Sequence, residues 1–235
     1  SFPRAVDARS ERDAWIVGGG GGARTAATSW HWDGRDWRTV PVPAPSRVNS
    51  ELVAVSARAG DDAWAVGSAG GAPLVTHWDG RSWTRSATPV PASGALSDVV
   101  ALAADDVWAV GTAAPNGDVP LVLHWDGRAW LTPAVPETRG RLYSVASDGR
   151  GGVWVAGEGG TGTALLAHWD GTGWNRCGAP TPAGGNASDH GAGAVWGLAN
   201  ARETPYLWAV GSYLPAAAEA PVQHVLTWTN APPSR

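Results

Sequence analysis

A five-bladed β-propeller, all-β with four antiparallel strands per blade and three in the last, is predicted for this chain by three observations. The phrase His-Trp-Asp-Gly occurs four times, beginning at His31, His77, His124 and His168, and each copy is followed by a further Trp (Trp37, Trp83, Trp130, Trp174). A second motif, Trp-Ala-Val-Gly or a near copy, begins at Trp15, Trp64, Trp108, Trp154 and Trp208, at spacings of 49, 44, 46 and 54 residues. Each period holds four short apolar stretches broken by turn residues, which is the pattern of a propeller blade. The repeat accounts for all 235 residues as a single domain (1-235), with blades near 1-46, 47-92, 93-138, 139-184 and 185-235.

The second repeat shows the elements in order. Leu52 to Ala57 is a short apolar stretch suited to an inner strand a, and its small residues (Ala54, Ala57) suit a crowded centre. Asp61-Asp62 punctuates, and Ala63 to Gly67 forms strand b. Leu74 to Trp78 forms strand c. Asp79-Gly80 then predicts a two-residue type I′ hairpin, which needs positive φ at both positions. Ser82 to Ser86 forms strand d, and Pro89 and Pro91 end it because proline cannot donate to a ladder. In the fifth repeat, counting back from Trp208 puts Trp196, Ala199 and Ala201 in the places of Leu52, Val55 and Ala57. Its third strand is expected at Val222–Thr229. The outer Trp position falls at Pro233, so a three-stranded blade is predicted, with no strand exchanged between the termini. No segment shows sustained helical periodicity.

Composition narrows the function classes. The formal net charge of −4 offers no basic footprint for nucleic acid. No apolar run reaches the 18 or so residues of a membrane span. With 32 Gly and 18 Pro the chain could be disordered, but disordered chains lack aromatics, and this one has 16 Trp. An indole buries roughly 150–250 Å², so the periodic tryptophans are read as the core and Gly and Pro as turn formers. Cys177 is the single cysteine, so no disulfide supports the fold. Ser1 and the lack of any Met suggest a processed or trimmed N-terminus, with no signal peptide left to read.

The repeat resembles kelch repeats. Trp64-Ala65-Val66-Gly67, then His77-Trp78-Asp79-Gly80-Arg81-Ser82-Trp83, then Thr88-Pro89-Val90-Pro91 fit that outline in every repeat, less well in the fifth. Three details depart from it: a shorter aromatic-to-Trp spacing, Trp for Tyr in strand c, and a clear double Gly only at Gly18-Gly19. Similar repeats are also found in secreted bacterial proteins. The resemblance implies a propeller and a secreted or extracytoplasmic location, and it implies no particular activity.

The conspicuous motifs read as scaffold. The four motif histidines occupy one place in strand c of separate blades, so they cannot share a metal whose ligands lie about 2 Å from one centre. Each is expected to hydrogen-bond backbone or a carboxylate within its own blade. Asp33, Asp79, Asp126 and Asp170 are read as turn residues. The pairs Asp61-Asp62 and Asp105-Asp106 point apart in tight turns. The Gly18–Gly22 run lacks a P-loop's Lys-Ser/Thr tail and is read as a b–c loop. Cys177 stands where the second repeat has Ser86 and is read as a packing residue. No metal and no cofactor is expected.

Function is sought where the repeats differ, in the b–c and d–a loops at one end of the strands. The ligand-binding candidates are Asn49, Arg139, Arg141, Tyr143, Glu158, Asn186, Asp189, His190 and Tyr213, concentrated in the last two repeats. Arg47, Glu51, Asn116, Asp118 and Glu219 lie on the same face, and Trp30 is an aromatic where other repeats have Thr76, Leu123 or Ala167. The leading expectation is a secreted, monomeric, non-catalytic module that binds a carbohydrate or peptide. An alternative is an enzyme using Asp189 and His190, with Glu158 or Tyr143, for acid–base or metal chemistry. A third is a structural or interaction domain of a longer chain.

Overall fold

Each repeat's four apolar stretches pair with their sequence neighbours into one up-and-down sheet. A computed structural model describes residues 2–19, 25–90, 93–113, 119–160, 162–177, 193–200, 204, 206–213 and 224–229, the side chains of 213 and 224–228 excepted. The first sheet is β1 (Phe2–Ser10), β2 (Asp13–Gly19), β3 (Ala27–Trp32) and β4 (Trp37–Val40). The second is β5 (Ser50–Ala59), β6 (Asp62–Ala69), β7 (Ala72–Trp78) and β8 (Trp83–Arg85). The third is β9 (Gly94–Ala103), β10 (Asp106–Ala113), β11 (Val119–Trp125) and β12 (Trp130–Leu131). The fourth is β13 (Gly140–Ser147), β14 (Val153–Gly159), β15 (Ala164–Trp169) and β16 (Trp174–Cys177). The fifth has three strands, β17 (Gly193–Asn200), β18 (Leu207–Tyr213) and β19 (His224–Thr229). No helix occurs among the described residues. The chain divides into two compact units, Ser1–Asn116 with Leu121–Pro133, and Gly117–Pro120 with Ala134–Arg235.

The cores lie between successive sheets. In the first unit, Trp15 and Val17 pack with Leu52, Leu74, Trp78 and Trp83, and Trp64 and Val66 pack with Leu96, Leu123 and Trp130. In the second unit, Ala156 and Leu166 pack with Val195 and Ala209. The strand-b indole is the centrepiece. Trp15 is met edge-on by Trp78 and Trp83, at 4.9 and 5.0 Å between ring centroids, and Trp64 is met by Trp130 at 5.3 Å and 87°. Strand a links neighbouring sheets by hydrogen bonds: the N–H of Ala57 donates to Asp7, and that of Ala101 to Ser56.

Strand a carries a β-bulge at the same place in all five sheets, leaving Arg4, Val53, Ser97, Tyr143 and Trp196 outside the regular pairing. Opposite each bulge stands the Gly of the Trp-Ala-Val-Gly motif. A Cβ on Gly67 would lie 2.1 Å from the Glu51 carbonyl oxygen, and one on Gly157 1.9 Å from that of Arg141. The motif glycine is therefore required by close backbone approach, not by an unusual φ.

Three expectations are corrected. The c–d connection is a four-residue loop rather than a two-residue type I′ turn, since Trp78 pairs with Trp83. Only its Gly has positive φ (Gly80, +89°), while Asp79 Oδ1 accepts the N–H groups of Arg81 and Ser82 at 2.9 and 2.8 Å. The other three copies repeat this arrangement. The fifth repeat is shifted by one residue: Val195, fully buried, occupies the place of Leu52, and Trp196 falls on the bulge, 50% exposed. A one-residue slip carries a side chain to the other face of a strand. The tryptophans are not uniformly core, since Trp37 and Trp208 are also about half exposed. The ring contact described for Trp37 is with Trp32 of its own sheet.

Candidate functional site

The repeated histidines lie in their own sheets. His31, His77, His124 and His168 stack on the strand-b indoles Trp15, Trp64, Trp108 and Trp154 at 4.1–4.4 Å. Their Nε2 atoms lie 2.8–2.9 Å from the carboxylates of Asp13, Asp62, Asp106 and Asp148. Arg9 and Arg58 donate to the second oxygen of Asp13 and Asp62 at 2.7 and 2.5 Å. These are pairs within a sheet, as expected of the histidines; of the aspartates that serve them, Asp62 and Asp106 stood out in sequence only as members of turn pairs, and Asp13 and Asp148 were not singled out. The available signal was an Asp two residues before the Trp of strand b in three repeats. In the fourth, Gly152 stands there and Asp148 reaches in from four residues earlier.

The loop-face candidates come together in the second unit. β13 and β14 pair Arg141 with Glu158 and Gly140 with Gly159. Arg139, Gly140, Arg141, Glu158, Gly159, Gly160 and Gly162 line a cavity of about 370 Å³ at that end of the sheet. The bulge turns Tyr143 toward Glu158, and its hydroxyl donates to Glu158 Oε2 at 3.2 Å. Burial, together with the Glu158 charge, raises the phenol's pKa, while the neighbouring Arg141 opposes the shift. Tyr143 is stacked in turn on Trp196, the bulge residue of β17, with centroids 4.7 Å apart and planes at 25°. The Trp196 indole N–H donates to Ser212 Oγ at 3.0 Å. An exposed indole, fixed on its polar edge and backed by a phenol, is thus linked through that phenol to Glu158, which lines the cavity with Arg139 and Arg141.

Of the sequence candidates, Arg139, Arg141, Tyr143 and Glu158 converge here. Asn49 belongs to the first unit, in the equivalent place of the second repeat, where it lines a cavity of about 400 Å³ with Glu51 and Ser68. Its Oδ1 accepts the N–H of Thr25 at 3.3 Å, and Arg4 pairs with Glu51 at 3.2 Å. Arg47 has φ of +69° in the link to β5. Tyr213 ends β18, pairing with Gly193 and His224, and its side chain is outside the described set. Asn116, Asp118, Asn186, Asp189, His190 and Glu219 lie outside the described residues. Sequence reasoning missed Trp196 because it placed that residue in the core. Cys177 packs beside Ala156 and Leu166, and burial pushes its thiol pKa up. A further cavity of about 570 Å³ in the first unit is lined by Arg58, Arg85, Trp64, His77 and Trp125 among others.

No family model matches the chain, and no curated protein sequence matches it. Solved structures are similar to it. YCF48 bound to D1 peptide aligns with a TM-score of 0.57 at 15% identity, over 95% of this chain and 66% of that one. The fungal lectin of Aleuria aurantia, a six-bladed β-propeller that recognises fucose, aligns at 0.53 and 12%, over 92% and 70%. The periplasmic gluconolactonase PpgL of Pseudomonas aeruginosa aligns at 0.51 and 16%, over 93% and 70%. At such identities the likeness speaks for the fold: the chain is a repeat-built β-propeller. It spans 66–70% of the length of these three proteins.

Proposed function

We propose that this chain is a non-catalytic, carbohydrate-binding propeller module. In this reading five kelch-like repeats serve as five blades of one domain over residues 1–235, and the protein works outside the cytoplasm as a monomer. The ligand meets the loop face of the fourth and fifth repeats. One observation carries the reading: Trp196 is held half exposed at a bulge and stacked on Tyr143, whose hydroxyl donates to Glu158 of the cavity that Arg139 and Arg141 also line. An exposed large aromatic on a rigid strand offers a flat apolar surface for the C–H face of a sugar ring. The charged groups of that cavity supply hydroxyl donors and acceptors. The lectin and peptide-bound neighbours support a binding role, each for its own ligand.

A glycan array followed by calorimetry on the hits tests this. Binding is expected for at least one oligosaccharide class and is lost in Trp196→Ala. Blank glycan arrays alongside a positive peptide array would replace the sugar with a peptide. A second reading, an acid–base enzyme, draws on the Tyr143–Glu158 hydrogen bond and on the lactonase neighbour. Lactone turnover that disappears in Glu158→Gln would favour it.

A further inference from the structure

We propose that the cavity of about 570 Å³ between the second and third sheets is a second binding site, and that it takes a zwitterion with an aromatic side chain, such as an aromatic α-amino acid. The cavity lies within the first unit, and all of its lining residues are described. Its size falls in the range of small-ligand pockets, about 300–1,000 Å³. Four charged side chains line it, Arg58, Arg85, Asp61 and Asp62. Arg58 Nε and His77 Nε2 engage the two oxygens of Asp62, so this group satisfies itself. Arg85 and Asp61 are left. Both are exposed, and neither forms an ion pair or hydrogen bond with the described residues. One cation and one anion on the wall of the same cavity call for a ligand that carries both charges. The planar guanidinium fork of Arg85 receives the ligand's carboxylate, and Asp61 receives its ammonium.

The ring has its own place. Trp64 stacks on His77 at 4.3 Å and meets Trp125 at 5.5 Å, and all three line the cavity. In the preceding pair of sheets the counterpart of Trp125, Trp78, is buried and reaches His31 at 6.4 Å. No such ring contact joins Trp125 to His77, and Trp125 is only partly buried. Aromatic surface is thus left for a flat, apolar group. The charged pair is also peculiar to the second repeat. The place of Arg85 is held by Thr39 and Thr132 in the first and third repeats, and Arg176, in the fourth, pairs with Glu137. The place of Asp61 is held by Arg12, Asp105 and Gly151. Among the first four repeats only the second therefore combines an acid at the a–b turn with an unpaired guanidinium on strand d.

The test titrates L-phenylalanine, 2-phenylethylamine, which lacks the carboxylate, and 3-phenylpropionate, which lacks the ammonium, into the native chain, Arg85→Gln and Asp61→Asn. Binding is read from the indole N–H resonance of Trp125, identified by its loss in Trp125→Phe. Both charge variants lie at exposed positions and keep the fold. Phenylalanine is expected to bind the native chain roughly threefold or more tighter than either half-charged analogue, a modest factor because both charges reach solvent. Arg85→Gln should erase its advantage over phenylethylamine, and Asp61→Asn its advantage over phenylpropionate. A Trp125 resonance that phenylalanine does not move, equal affinity for the three ligands, or preferences unchanged in both variants overturns the inference. Each of those results leaves the carbohydrate reading standing, since that reading rests on Trp196 and is tested with sugars.

Discussion

Trp196 lies against Tyr143 with ring centroids 4.7 Å apart, and both are bulge residues of their strands. Neither belongs to the regular ladder, so both are free of the alternation that sends neighbouring side chains into the core. Trp196→Ala is therefore expected to lose ligand affinity by tenfold or more while costing only about 1 kcal/mol of stability. Calorimetry and urea unfolding on one preparation check the split. A loss of stability as large as that of a core indole would show that Trp196 is scaffold.

The core indoles behave in the opposite way. Trp64 is buried to 3% exposure beneath Trp125 and Trp130, so Trp64→Ala should destabilise by about 3–5 kcal/mol. Trp37, half exposed at the equivalent of Trp83, should cost under about 1 kcal/mol when changed to Ala. Comparison of urea midpoints at constant m-value separates the two.

The motif glycine admits no side chain. Gly67→Ala would place a methyl 2.1 Å from the Glu51 carbonyl and force the bulge open. A loss of about 3 kcal/mol or more is expected, against the few tenths that a strand Gly→Ala change in open space would cause. A Gly67→Ala protein with native stability would mean that β5 and β6 are paired differently.

Acid should unfold the chain along a shared limb. Backbone N–H groups of the c–d loops hold Asp33, Asp79 and Asp126 below their ordinary 3.8, and Asp170 is held low by the Thr172 hydroxyl and the same kind of N–H donors. For Asp148, burial pushes the other way but is outweighed by His168 and the N–H groups of Arg150 and Gly152, so it too is lowered. A carboxylate with a depressed folded pKa stabilises above its unfolded value, and that contribution fades as pH falls through the folded value. Stability should therefore be insensitive to these groups from pH 7 down to about 4 and decline below it. Asn at positions 33, 79, 126 and 170 together keeps the acceptor and should flatten that decline, read from urea midpoints against pH.

The sheets were legible because the repeat restates itself: four copies of His-Trp-Asp-Gly mark strand c, and three copies of Trp-Ala-Val-Gly with two near copies mark strand b, leaving only a and d to infer. The turn chemistry was half legible. Asp-Gly announced a turn, but whether its Asp uses backbone dihedrals or its own carboxylate depends on loop length, and Trp78 pairing with Trp83 settles that. The polar candidates Arg139, Arg141, Tyr143 and Glu158 stood out by departing from the repeat. Trp196 did not, because counting from Trp208 assumes a fixed a–b connection, and in the fifth repeat the strand-a positions sit one residue earlier than that count gives. The Asp148 partner of His168 was hidden for a related reason: it performs a repeated task from a non-repeated position.

The bulge gives the architecture an unusual kind of freedom. Because the motif glycine lets one inner-strand residue step out of the pairing in every sheet, that residue can be exchanged without disturbing the hydrogen bonds around it. Arg4, Val53, Ser97, Tyr143 and Trp196 already differ in charge, size and aromaticity across an otherwise monotonous scaffold. Specificity in such a protein is open to redesign one letter per sheet, and a library confined to these five codons would sample new surfaces while leaving the buried indoles untouched.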